Sequence, residues 1–397
     1  MPEASPTASA GLVARLIGRT GGTAILDPTG AHDYATLVDA SAAIATDLLR
    51  GLGDRSDLGG VRVAFLVPPG AGWAATLYGI WRAGGVAVPL ALGWPAPELQ
   101  HAIEETGAGT ILATSELESR IADIASRLGV PRRTLQRTDE LPAVLSAPPP
   151  SGRPEGLPTV PSDRAAMILF TSGTTSRPKG VVHTHGSIAA QVDTLVEAWA
   201  WSESDRLLHV LPLHHVHGIV NGLLCALASG ATCDLLPEFD AETVWRAFVE
   251  RPVTLFMAVP TVYARLIAAW EDAGPSDRAV RSEATARQRV MISGSAPLPV
   301  PLLERWERIA GQRLLERYGM TEIGMALSNP LEGERRPGTV GFPLPGISVR
   351  LVDESGRPVE REGEPGEIEV AGPTVFREYW RRPAATGSAF RDGWFVT

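Results

Sequence analysis

The chain has 397 residues, 44% of them apolar and 20% charged, which suits a large globular domain with subdomains. A formal net charge of −9 excludes a general binder of nucleic acid or anionic membrane, while leaving room for a local basic pocket. Two cysteines, Cys225 and Cys233, cannot build a disulfide framework or a zinc site unaided; both sit in apolar runs and read as buried thiols.

The opening segment, MPEASPTASAGLVARLIGRT, has no long apolar core of a leader, and no later apolar run reaches membrane-spanning length. A cytoplasmic protein is expected. Residues 35–51 place Leu37, Ala40, Ile44 and Leu48 on one helical stripe that ends at a glycine. VRVAFLV (61–67) predicts a buried strand, followed by a Pro-Gly turn and a helix through Ala83. Short strands follow at 84–90 and 109–113, with a helix near 96–107 between them. Such alternation predicts an α/β fold with a largely parallel sheet. The proline-rich stretch 140–161 reads as a linker and seam. Strands are predicted again near 166–171, 207–212, 231–236, 253–259 and 289–293. After about residue 338, strand alternation around turn residues predicts a small antiparallel unit, running to a strand at Thr397. The approximate divisions are therefore 1–160, 161–337 and 338–397.

Four segments carry chemistry. MILFTSGTTSRPKG (167–180) runs from a strand into hydroxyl and glycine residues with one lysine, then into a helix-forming segment. Glycine permits close backbone approach, hydroxyls donate hydrogen bonds, and lysine supplies a point charge, which together suit a phosphate. It is not the common P-loop, because Lys179 lies between Pro178 and Gly180. LPLHHVHG (211–218) gathers His214, His215 and His217. A metal site is disfavoured there, since adjacent residues of a strand point to opposite sides and no partner cluster exists in sequence. ISGSAPLP (292–299) and ERYGMTEIG (316–324) are two further strand-associated loops. Loops at the carboxyl ends of a parallel sheet converge on one crevice. Tyr318 offers a flat face for a base, Thr321 a phosphate donor and Glu322 an oxygen ligand for Mg²⁺. Taken singly, each has an architectural alternative in the core or in a helix cap.

LFTSGTTSRPKG, LPLHHVHG, GSAPLP and RYGMTE, in this order and spacing, resemble the adenylate-forming superfamily of acyl-CoA synthetases, firefly luciferase and peptide-synthetase adenylation domains. Nearly the whole chain is covered. LPLHHVHGIVNGLL, FMAVPTVYARL, SGSAPLPVPLLERW, LERYGMTEIGMALSNPLEGERRPGTVG and VFREYW are most similar to malonyl-CoA synthetases, which join malonate or methylmalonate to coenzyme A with ATP. The resemblance implies layered αβαβα subdomains with an added small antiparallel, barrel-like unit.

It also implies roles. Thr171, Ser172, Gly173, Thr174 and Thr175, with Lys179, would embrace the β- and γ-phosphates. Ser295, Ala296 and Pro297, with Glu316, Arg317, Tyr318, Gly319 and Met320, would form the adenine slot. Thr321 would hold the α-phosphate, and Glu322, with Thr171 nearby, the Mg²⁺. Lys179, His215, Thr321 and Glu322 would be the catalytic set. His215, Ser293 and Arg335 would contact the acid, Arg335 taking the second carboxylate of malonate with Arg336 as its rival. Ser176 departs from the glycine of many relatives and tolerates less unusual backbone geometry. In the superfamily the terminal GWF-x-T strand continues to a ribose-binding aspartate and a small lid domain carrying a catalytic lysine. The chain as given is thus expected to be the large N-terminal domain, nearly inactive alone, with that lid as its intramolecular partner. The remaining readings are a nucleotide- or acyl-binding module without turnover and a synthetase for another small or medium acid.

Overall fold

The computed structural model describes residues 11–19, 21–50, 56–135, 157–171 and 178–397. The strand Arg62–Leu66 shows how the layers arise. Val63 and Phe65 point into one apolar cluster, and Ala64 and Leu66 into another, so both faces of the strand are covered. Its seven-stranded sheet has the spatial order 378–379, 179–184, 165–171, 86–89, 62–66, 110–114, 132–135. The five strands from 165–171 onward in that order are parallel, while the strands at 179–184 and 378–379 are antiparallel to their neighbours.

A nine-stranded sheet runs 342–343, 324–328, 315–320, 290–293, 255–258, 206–209, 232–235, 23–27, 30–33. Its central strands are parallel. One cluster contains inward residues of both sheets together with helices Tyr34–Leu49, Ala71–Arg82, His185–Ala198 and the segment His217–Ser229. These helices are the middle layer. Helices Ala96–Thr106 and Glu118–Leu128 cover the outer face of the seven-stranded sheet. Helices Ala241–Glu250, Pro260–Asp272 and Val300–Ala310 cover that of the nine-stranded sheet. The result is the αβαβα stack that the alternation of elements and the resemblance predict. The sheets are not contiguous in sequence: the hairpin 23–33 joins the nine-stranded sheet and residues 165–184 the seven-stranded one. Residues 348–352, 367–371, 390–391 and 394–396 make the small antiparallel sheet, where the buried Glu369 carboxylate accepts from both Arg350 and Arg391. Most of the predicted linker, through residue 156, lies outside the described residues.

One local expectation changes. Lys179–Thr184 is a strand, and the helix after it starts only at His185. Val181, Val182 and Thr184 are β-branched and favour the extended form. Thr184 then caps the helix in a reciprocal capping box with Ser187.

Every residue of Ala71–Arg82 is buried, as a helix between two sheets requires. Gly79 permits this closeness, because a Cβ there would lie 2.7 Å from Ile44 Cβ. Although alanine has the better helix propensity by about 1 kcal/mol, Gly79→Ala is expected to destabilise the protein by about 1–3 kcal/mol through overpacking. Urea unfolding would measure this, and an equal or higher midpoint would contradict the tight contact.

Candidate active site

Thr171 and Lys179 are register partners across the hairpin formed by Ala165–Thr171 and Lys179–Thr184. Ser172, Gly173, Thr174, Thr175 and Ser176 lie between them, outside the described residues. The Lys179 ammonium sits 4.9 Å from the ring centroid of Tyr379, a cation–π contact. Tyr379 belongs to the two-residue strand that pairs with Lys179–Thr184, and its hydroxyl donates to Glu322 Oε1 at 2.9 Å. Burial and the adjacent carboxylate push the phenol pKa up, so the hydroxyl stays a donor. Lys179, Tyr379 and Glu322 therefore form one stack.

Thr321 and Glu322 occupy the turn of the hairpin between Leu315–Met320 and Gly324–Ser328. The motif is thus strand and turn, not a loop after a strand. Gly319 is required there, since a Cβ would lie 2.0 Å from the Gly324 carbonyl oxygen. Backbone groups of the turn are tied down from outside. His183 Nε2 meets the Thr321 carbonyl at 2.7 Å, the Phe376 N–H donates to the Glu322 carbonyl at 2.7 Å, and Thr374 Oγ1 donates to the Ile323 carbonyl at 2.8 Å. Mg²⁺ carried with a nucleotide needs one or two carboxylates, with phosphate oxygens and water completing its shell. Glu322 fits that need. Among the described residues no group of three His, Cys, Asp or Glu could hold a metal alone.

Ser293 and Glu316 are register partners in neighbouring parallel strands, so the turn Gly294–Pro297 lies beside Glu316–Gly319. Ser295 has φ +67°, in the left-handed region, and Ala296 and Pro297 are exposed. Tyr318 is half-buried. Burial raises the Glu316 carboxyl, and the Leu298 N–H donates to its Oε1 at 3.3 Å. These segments are brought together as the sequence predicts.

Arg317 is the unexpected member. It is 2% exposed, and Nη2 donates to Ser295 Oγ at 3.3 Å, while Nε and Nη1 are buried without a partner. Among the described residues it has no carboxylate at ion-pair distance. Desolvation lowers its pKa to about 9. Gly294 makes room for the guanidinium, since a Cβ there would lie 2.6 Å from Cζ. Ser295 Oγ also lies 3.1 Å from His217 Nδ1. Having accepted from Arg317, the hydroxyl can pass its own proton to Nδ1, which leaves His217 Nε2–H as a buried, unpartnered donor. Ser293 Oγ and both amide atoms of Asn221 are likewise buried and unpartnered. A polar cluster of this kind, with an unpaired cation, is costly in isolation and complements an anion.

The histidines separate. His215 lines a cavity of about 630 Å³ with Trp94, His101, Phe170, Thr171 and Pro178. His214 faces another cavity, and His217 joins Arg317. His209 orders this segment, with Nε2 at 2.8 Å from the Gly218 carbonyl and Nδ1 accepting from the Leu211 N–H. Arg335 does not face the cluster as an open fork. Its Nε, Nη1 and Nη2 donate to the carbonyls of Pro330, Arg313 and Leu331. Arg336 is exposed and pairs with Glu334. Three of the five N–H groups of Arg335 are thus engaged in bracing loops. Sequence reasoning placed Arg317 among nucleotide contacts and gave Tyr379, His183 and His209 no role. The charge in ERYG was the visible signal for Arg317; the others had none.

Residues 17–380 match the model of the AMP-binding enzyme family. The chain belongs to that family. It is 44% identical to mouse malonate–CoA ligase ACSF3, mitochondrial, with 100% of this chain and 72% of the relative aligned. Among solved structures, ATP-bound MatB from Rhodopseudomonas palustris shares 35% identity at a TM-score of 0.86, over 98% of this chain and 75% of that one. A malonyl-CoA ligase ternary product complex with methylmalonyl-CoA and AMP bound shares 32% at 0.79, over 96% and 75%. No described helix is long and apolar enough to cross a membrane.

Two outcomes follow from these positions. Arg335→Met should lower unfolding stability by about 1–3 kcal/mol, because it orphans three carbonyls, without changing relative affinity for dicarboxylic and monocarboxylic acids in calorimetry. Burial lowers His185 and His209 to about 4 from the ordinary 6.5. Between those values the unfolded chain binds more protons than the folded one, so stability is full above pH 6.5 and falls as pH drops toward 4. The urea midpoint should fall between pH 7.5 and 5 by the equivalent of up to about 2 kcal/mol per residue.

Proposed function

We propose that this member of the family activates malonate, and the close analogue methylmalonate, with Mg·ATP and passes the acyl group to coenzyme A. Arg317 carries the reading. A dicarboxylic acid presents one carboxylate to the reaction and must have the other neutralised, and a buried guanidinium with two free donors answers that need. Ser293, Ser295 and His217 supply the remaining polar contacts. The kinship to malonate–CoA ligases supports the same acid.

In the first step a carboxylate oxygen attacks the α-phosphorus, the bond to the bridging oxygen breaks, and pyrophosphate leaves. In the second, the thiol sulfur attacks the acyl carbon and AMP departs. Lys179 and the segment Thr171–Thr175 hold the outer phosphates, with Ser172, Gly173 and Thr174 supplying donors. Thr321 binds the α-phosphate. Glu322, with Thr171, would hold the nucleotide's Mg²⁺, which would supply charge neutralisation. Ser295–Pro297, Glu316 and Tyr318–Met320 frame the adenine, with Tyr318 against the base, while the Arg317 side chain serves the acid. The chain's contribution is alignment and fixed charge, placed before reaction begins. His215 and its cavity lie beside Thr171, where a thiol could approach. A cytoplasmic site of action is in keeping with this role.

Arg317→Met tests the reading. Calorimetry should show malonate affinity falling by about 10²-fold or more, as expected when a buried charge loses its partner, with ATP affinity within about threefold of the parent. The ligand-free variant should unfold at a higher temperature, because an unpaired buried cation has been replaced by an apolar chain. Unchanged malonate binding, or equal losses for malonate and acetate, would refute the assignment.

A further inference from the structure

Thr321 and Glu322 sit on the nine-stranded sheet, while Thr171 and Lys179 sit on the seven-stranded one. A site shared between two sheets needs a link that sets their spacing. His183 provides it. Two residues before the capping-box serine's helix begins, it lies on the strand that starts at Lys179, and it is 3% exposed. The Thr321 oxygen it meets at 2.7 Å is a carbonyl, which only accepts, so Nε2 carries the proton. Nδ1 is then bare and faces the Ser187 hydroxyl 3.2 Å away, whose one proton it shares with the Thr184 carbonyl at 3.1 Å. Burial lowers the His183 pKa to about 4, so this neutral tautomer persists across the ordinary working range.

We infer that His183 is a positioning residue that fixes the Thr321–Glu322 turn against the strand Lys179–Thr184, so that the α-phosphate donor and the Mg²⁺ carboxylate are held in register with Lys179. The inference rests on the nucleotide reading above. It differs from a packing role, because one ring nitrogen faces the catalytic turn and the other faces a helix cap. The two functions can be separated by amide side chains of different length. In His183→Gln the terminal amide reproduces the position of Nε2 and keeps the donor to Thr321. In His183→Asn the shorter amide reproduces the Nδ1 side and keeps only the Ser187 contact.

The experiment measures ATP affinity of this chain by calorimetry, with saturating Mg²⁺ and with EDTA; the ratio of the two affinities is the readout. His183→Gln should keep the ratio within about twofold of the parent, and His183→Asn should reduce it by about tenfold. Malonate affinity should stay within about twofold in both. A normal ratio in His183→Asn, or equal losses in the two variants, would overturn the positioning role. Glu322→Gln, run alongside, isolates the underlying assignment. If it leaves the Mg²⁺ effect intact, the nucleotide site is misassigned and the inference falls with it. If it abolishes the effect while His183→Asn is silent, the positioning role alone is lost.

Discussion

The two large sheets share a single layer of helices, and that shared burial governs everything built above it. Helix Ala71–Arg82 is enclosed on all sides, and helix Tyr34–Leu49 closes on it where Gly79 carries no side chain. Dispersion and apolar burial on both faces of one layer leave little freedom for the sheets to slide. Lys179 therefore reaches Tyr379 and Glu322, and Ser293 lies beside Glu316, although long stretches of chain separate them.

Against that well-packed interior, several buried polar groups on the segments 217–221 and 293–317 stand without partners among the described residues. Arg317, His217, Ser293 and Asn221 keep polar atoms from water without giving them protein partners. Other buried carboxylates have arginine partners: Asp234 meets Arg206 and Arg251, Asp205 meets Arg289, and Glu369 meets Arg350 and Arg391. A scaffold able to pair its carboxylates so thoroughly tolerates an unpaired guanidinium where a ligand completes the arrangement.

Much of the architecture was legible because strands buried on both faces read as continuous apolar runs, as in VRVAFLV, and because glycines and prolines punctuate them. The nucleotide-site segments were legible for a different reason: each is short, local and chemically distinctive. What escaped was long-range. Tyr379 meets Glu322 across 57 residues and His183 meets Thr321 across 138, and neither spacing has a local signature. The bracing contacts of Arg335 were not legible, because a charged loop carries no mark of where its carbonyls will turn. Its donors are taken up by Pro330, Leu331 and Arg313 only once the chain has folded. The strand at Lys179 was missed because its β-branched residues were read together with the helix that follows.

The strand Glu378–Tyr379 pairs with Lys179–Thr184, closing a loop of nearly two hundred residues around most of the nine-stranded sheet. During synthesis, then, the lysine, the hydroxyl loop and the Thr321–Glu322 hairpin all emerge before the tyrosine that stacks them. At translation speeds of about 5–20 residues per second, the ribosome takes roughly 10–40 s to add the segment that follows Lys179 up to Tyr379. Until then the seven-stranded sheet has an exposed edge at Lys179–Thr184, with unpaired backbone donors and acceptors. The nascent chain thus passes through an interval in which Lys179 lies on an open sheet edge, and the late pairing of Glu378 and Tyr379 with Val182 and Val181 covers the middle of that edge.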